Sequence, residues 1–373
     1  MTEPEPSNPA LVAMIRDEIE RDGPITFARF MDLALYEPTH GYYRRERPAV
    51  GWGGADFLTG PEMHPIFGQT LGRQILECRE RLGNPAEFTI REYAAGSGAL
   101  AAAILGEVGP GARYQAIEVN AHRRSELTAR LPIVEASEVA PAEALTGVVI
   151  ANELLDALPV HRVVMRAGAL REIHVGVVGD GFGDVERPAS THELEGRLAA
   201  EGILLADGQQ AEINFGVEPW LRDVAHDLRR GYVIVIDYGY RAAELYSPKR
   251  GAGTLLGYAG HRVVDDPYRS LGRQDLTAHV DFTAVERAAI AAGLAPLGLT
   301  SQAEFLVGAG AEELLERARA DPATDFAAWT GLRSALGRLL DPRAMGAFKV
   351  IVLARDVPVE PPLRGLAYRL PAR

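Results

Sequence analysis

The 373 residues, 47% hydrophobic and 24% charged, have the balance of an ordinary soluble globular protein and enough chain for one large core or two smaller ones. A formal net charge of −12 opposes non-specific binding to nucleic acid or to an anionic membrane; a single cysteine, Cys78, excludes an internal disulfide, and no Cys/His cluster has zinc-ligand spacing, so no metal site is expected. Residues 1–10 have neither the basic-then-apolar order of a secretion signal nor the arginine-rich face of a transit peptide, and no apolar run is long enough to span a bilayer, so a cytoplasmic protein without membrane insertion is expected.

Residues 1–9 are polar and proline-rich, and a disordered tail is expected. Leu11, Ile15 and Ile19 share one helical face, and Gly23-Pro24 ends that helix. Thr26 then N-caps a second helix with Phe27, Phe30, Met31, Ala34 and Leu35 on one face, stopped by Tyr36-Glu37-Pro38. Gly41-Tyr42-Tyr43 opens a glycine-rich loop that passes Gly51-Trp52-Gly53-Gly54 and ends near Pro61. A loop of that length inside a compact domain points to function, with Tyr42, Tyr43 and Trp52 either a lid or packing for the N-terminal segment. Residues 64–78 are predicted helical. Residues 10–86 therefore read as an N-terminal helical cap carrying an active-site loop.

From Phe88 the pattern alternates. Strands are predicted over 88–94, 114–119, 133–136, 148–152, 233–238, 295–300 and 348–354, with mostly helical segments between. Short apolar strands alternating with helices predict an α/β fold, a largely parallel sheet with helices on both faces, over residues 87–355. Residues 163–184, rich in Val and Gly, interrupt the rhythm and predict a β-hairpin within an insertion spanning 160–230. The stretch 356–373 is Pro- and Arg-rich, and an extended tail is expected.

Ligands of such a sheet bind beyond the carboxyl ends of its strands. Four predicted ends are polar: Glu92 before the turn Ala94-Ala95-Gly96-Ser97-Gly98; Glu118; Asn152-Glu153 with Asp156; and Asp237-Tyr238-Gly239. Strand, glycine turn, helix, strand and carboxylate make the first half of a nucleotide-binding unit, in which glycine admits a ligand that a β-carbon would exclude and Glu118 can accept from two ribose hydroxyls. The register E-x-A-x-G-x-G fits S-adenosylmethionine better than the G-x-G-x-x-G of dinucleotide sites. A nicotinamide oxidoreductase is thereby disfavoured.

The wider pattern resembles the MidA-like family of class I S-adenosylmethionine-dependent methyltransferases, relatives of a mitochondrial complex I assembly factor that dimethylates an arginine. The resemblance is carried by Phe27-Ala28-Arg29-Phe30-Met31, Ala34-Leu35-Tyr36, Gly41-Tyr42-Tyr43, Asp56-Phe57-Leu58-Thr59, Pro61-Glu62, Glu92 through Leu100, Ala151-Asn152-Glu153-Leu154-Leu155-Asp156-Ala157-Leu158-Pro159, Asp237-Tyr238-Gly239 and Asp275-Leu276-Thr277-Ala278-His279-Val280-Asp281-Phe282. It implies a Rossmann-like methyltransferase sheet and S-adenosyl-L-methionine as cofactor, bound by Thr59, Glu62, Glu92, Ala94, Gly96, Gly98, Glu118 and Asn152. It also implies an arginine-bearing protein acceptor, such as a respiratory complex I subunit, and catalysis by Asn152, Glu153, Asp156 and His279. Glu153 and Asp156 would grip the guanidinium two bonds at a time, His279 would shuttle the proton, and Asp56, Glu62 and Asp281 would be further acids nearby. Asp281 has a second reading, as the cap of the helix opening at Phe282. The family motif usually reads E-x-G-P-G-R-G-T-L, so Ala94, Ala95 and Ser97 depart from it, and a turn needing positive φ at Ala94 would have to be reshaped. That departure motivates the alternative of a non-catalytic assembly factor retaining the fold.

Overall fold

The structure is a computed structural model that describes residues 5–45, 59–260 and 262–370. Seven strands form its central sheet: β1 (Thr89–Tyr93), β2 (Arg113–Ile117), β3 (Val134–Ser137), β4 (Leu145–Asn152), β5 (Leu228–Asp237), β6 (Ala295–Ser301) and β7 (Lys349–Arg355). Their order is β6-β7-β5-β4-β1-β2-β3. Neighbours are parallel, except that β7 runs antiparallel to both β5 and β6. All seven correspond to predicted strands. β5 begins at Leu228 rather than Val233, because Arg229 and Arg230 break the apolar run while the backbone already pairs with β4. The order reverses between β1 and β4, which places a crevice above their carboxyl ends.

Alternation along the strands covers both faces. Ile234 and Ile236 turn to one side, where they share a core with Ile75 of α3 (Ile66–Arg81), Leu100 and Ile104 of α4 (Ala99–Val108) and Leu127 of α5 (Ala121–Arg130). Val233 and Val235 turn to the other, against Leu221 of α6 (Val217–Asp227) and Phe282 of α7 (Phe282–Ala291). Each such side chain, fully buried, contributes about 1.5–3 kcal/mol before entropy is charged against it. By packing, α3 belongs to this main core rather than to the cap.

The expected hairpin is present as part of a larger antiparallel sheet of Val160–Arg166, Ala169–Val178, Gly181–Pro188 and Gln210–Asn214. Ile25–Thr26 adds to it opposite Val175 and His174. The cap helices, Pro9–Asp22 and Phe27–Tyr36, lay Ile15, Phe27 and Phe30 on Val160 and Val175 of this sheet. Thr26 Oγ1 accepts the Arg29 amide at 3.2 Å, as its N-cap position predicted. Asn8 caps the first helix through the amides of Ala10 and Leu11, so the part of the N-terminal tail that is described is held rather than loose. The C-terminal stretch also departs from expectation. Leu363 and Leu366 are buried, and the Gly365 amide donates to Gln74 Oε1 at 2.9 Å, docking the stretch on α3. Among the described residues no helix is long and apolar enough to cross a membrane.

Candidate active site

The turn after β1 carries three left-handed residues: Ala94 (φ 55°), Gly96 (φ 54°) and Gly98 (φ 74°). Alanine thus adopts the conformation that glycine would take in the family motif, and the turn keeps its course at a cost of about 1 kcal/mol. Ala94→Gly is expected to raise stability by about 0.5–1 kcal/mol, read as a higher urea midpoint at unchanged slope. A lower midpoint would show that the turn is not strained there.

Gly96 lines the crevice, and its amide donates to Glu118 Oε2 at 2.8 Å. Glu118 Oε1 accepts the Asn120 amide, also at 2.8 Å. Each oxygen keeps a lone pair for a ligand hydroxyl. Burial raises the pKa of Glu118, opposed by these two amides and the charges of Arg123 and Arg124. Gly98 does not line the crevice, contrary to expectation. A β-carbon on it would come within 2.9 Å of the Leu127 side chain, so this glycine serves the packing of α4 on α5. Glu92 is buried at the crevice floor, accepts the Tyr114 hydroxyl at 2.7 Å, and has its pKa pushed up to about 8 mainly by burial. Thr59 and Glu62 line the rim, where Glu62 accepts the hydroxyl of Ser97. Asp56 and Trp52 lie outside the described residues.

The other end of the crevice is built on the β4 exit. Asn152 Nδ2 donates to Glu153 Oε1 at 3.1 Å. Glu153 holds φ at 50° while its amide donates to the Ile236 carbonyl at 2.8 Å, a left-handed non-glycine residue kept in place by the neighbouring strand. Asp237, fully buried, does not reach the crevice. Its Oδ2 accepts the amides of Leu155 (2.9 Å) and Asp156 (3.3 Å), and its Oδ1 that of Tyr238 (2.9 Å), so it shapes the loop that presents the other acids. Asp156 lines the crevice, and its Oδ1 has no hydrogen-bond partner among the described residues. Burial, and then the charge of Asp156, lift Glu153 to about 8; burial also raises Asp156. Tyr36 and Tyr43 close this end as a stacked pair 5.4 Å apart. Their hydroxyls are anchored on the Ala157 carbonyl (3.0 Å) and Asp275 Oδ1 (2.8 Å). Tyr42 is buried in the cap core instead.

Two sequence candidates stand apart. Asp281 caps α7, accepting the amides of Thr283 (2.9 Å) and Ala284 (3.2 Å). His279 does not line the crevice. Its ring packs against Tyr238 and Tyr240, and burial and the charge of Arg250 push its pKa down to about 4, so the expected proton shuttle is placed away from the crevice and is too weak a base to hold the proton. Arg123, which the sequence did not single out, does line the crevice.

The crevice spans about 1120 Å³ with its open mouth included, and any nucleoside joined to an amino acid would lie along it. Its polar groups suit that ligand. Glu118 offers acceptors to a ribose. A pyrophosphate finds few free backbone donors at the turn, because the Gly96 amide is committed to Glu118 and the Ala99 amide to Ser97 Oγ at 3.2 Å. The turn therefore fits an adenosine linked without phosphate.

Comparison with known proteins agrees. A family model described as "Putative S-adenosyl-L-methionine-dependent methyltransferase" matches residues 70–300. The chain is 25% identical over 347 residues to the mitochondrial protein arginine methyltransferase NDUFAF7 of Danio rerio, covering 83% of this chain and 78% of that one. It is 27% identical over 371 residues to the Mus musculus protein of the same name, covering 88% and 80%. A crystal structure of a Burkholderia thailandensis protein bound to S-adenosyl-homocysteine is 34% identical and superimposes with a TM-score of 0.85 over 96% of this chain and 94% of that one. The names of the curated relatives place them in mitochondria, which overturns the cytoplasmic location expected from residues 1–10 and the apolar pattern.

Proposed function

Because the chain belongs to this family of S-adenosyl-L-methionine-dependent methyltransferases, we propose that it methylates an arginine side chain of a protein partner. The observation that carries the reading is the acid pair Glu153 and Asp156, which lines the crevice together with the stacked Tyr36 and Tyr43. The relatives' names, protein arginine methyltransferase, support it. When bound, the cofactor supplies a methyl group already activated on a sulfonium, so alignment is the protein's main task.

In this reading Glu118 and the Gly96 turn hold the adenosine, and Ala94, Thr59, Glu62 and Glu92 border the amino-acid half. Glu153 and Asp156 take the planar guanidinium fork, and Asn152 fixes Glu153 through its side-chain amide. Tyr36 and Tyr43 exclude water from that end. The acceptor nitrogen sheds one proton as it gains the methyl group. Asp156 Oδ1, unpartnered and made more basic by burial, is the nearest fit to receive it. A subunit of respiratory complex I is the acceptor we propose.

The experiment is quantitative mass spectrometry of methyl-arginine in cells with the chain, without it, and with Asp156→Asn. Loss of the same arginine methylation from the last two supports the reading. Loss of lysine methylation instead, or of none, refutes it.

A further inference from the structure

We propose that Arg123 reads the adenosine half of the methyl donor and sets the site's specificity for it, whatever the acceptor turns out to be. Asn120, two residues beyond Glu118, caps α5 by accepting the Arg123 amide at 3.1 Å, which fixes where that side chain starts. The guanidinium then reaches back over the glycine turn. Its Nη1 lies 3.2 Å from the position a β-carbon on Gly96 would take, so a side chain there would press on the guanidinium. The residue lines the crevice beside Glu118, whose pKa its charge lowers.

The feature that asks for a ligand is Arg123 Nη2, which is buried and has no hydrogen-bond partner among the described residues. Other arginines of the same helix behave differently. Arg124 Nη1 donates to the Glu118 carbonyl at 2.6 Å, and Arg130 Nη2 donates to the Ser97 carbonyl. Those two donate to carbonyls of the β2 exit and of the glycine turn, whereas Arg123, which lines the crevice, keeps a buried donor unfilled. A buried donor without an acceptor is destabilising, and in functional proteins it is commonly completed by what binds there. Glu118 supplies acceptors only. A nucleoside also presents acceptors of its own, the ribose oxygens and the adenine ring nitrogens, and a planar, always-charged fork is suited to meet them.

Calorimetric titration of the full chain with two ligands tests this. S-adenosyl-homocysteine carries both halves of the cofactor, and 5′-methylthioadenosine lacks the amino-acid carboxylate. Arg123→Ala is expected to weaken both by the same factor, tenfold or more, with the melting temperature of the ligand-free protein unchanged. Arg123→Gln, which keeps most of the stem, carries the same comparison should the alanine variant not fold. Unchanged affinity for both ligands overturns the proposal. So does weakening of S-adenosyl-homocysteine alone, which would put Arg123 on the carboxylate instead.

Discussion

Glu118→Ala is expected to lower the affinity for S-adenosyl-homocysteine at least a hundredfold in calorimetric titration, the largest loss of any single change at the adenosine end. The carboxylate does two things at once. It accepts the amides of Gly96 and Asn120, each at 2.8 Å, and so ties the β1 turn to the β2 exit. Its remaining lone pairs face the crevice. Hydrogen bonds to a charged group are worth about 1.5–3 kcal/mol each, so losing two ribose contacts alone corresponds to roughly a hundredfold or more. The two amides left without an acceptor add about 1–3 kcal/mol apiece of destabilisation, checked by urea unfolding. Glu118→Gln should be nearly as damaging. Its single carbonyl oxygen can serve one amide, while its NH2 is turned toward the other donor. An affinity within threefold of the parent in either variant would show that the ribose is held elsewhere.

The second large effect lies at the opposite end. Asp156→Asn and Glu153→Gln are each expected to cut kcat/KM for the protein acceptor by about a hundredfold or more, with S-adenosyl-homocysteine affinity unchanged. A guanidinium needs ionised acids, yet burial holds Glu153 at about 8, so at neutral pH much of it is protonated. A bound cation favours the carboxylate. The acceptor KM should therefore fall as pH rises from 7 to 9, and Glu153→Gln should flatten that slope. Stability must move the other way. The folded-state pKa is raised above the ordinary 4.5, so the folded chain holds this proton more tightly than the unfolded one. The contribution is present at low pH and is lost as pH climbs toward 8. Thermal unfolding of the parent and Glu153→Gln at pH 6 and pH 8 measures it. Activity and stability rising together through that range, with both slopes surviving the substitution, would count against the assignment.

The sequence displayed the central sheet because its inner strands β4, β5 and β7 are buried on both faces and read as apolar runs, and because its shorter strands recur between helical segments. The second sheet was visible only as one hairpin. Strand 160–166 mixes apolar and charged residues without a period, strand 210–214 is short and mostly polar, and a two-residue strand at Ile25–Thr26 leaves no period to detect. Among the site candidates, residues next to a strand end came out in the crevice: Glu92, Ala94, Gly96, Glu118, Asn152, Glu153 and Asp156. Those that strayed did so for packing reasons that spacing does not carry. Gly98 answers to Leu127, 29 residues on, His279 is enclosed by two tyrosines, and Asp237 turns inward to three amides. Arg123 was illegible because its signal is an unfilled donor, a property of three dimensions alone.

The docked C-terminal stretch bears on how the chain is made. Leu363 and Leu366 seal the flank of α3, and Gln74 Oε1 accepts the amide of Gly365. Synthesis runs from the N-terminus, so the side of the main core beneath them stays open until residues 363–366 have cleared the ribosome. The amide that Gln74 accepts lies 291 residues further along the chain, so that flank of α3 is among the last surfaces of the described chain to be covered.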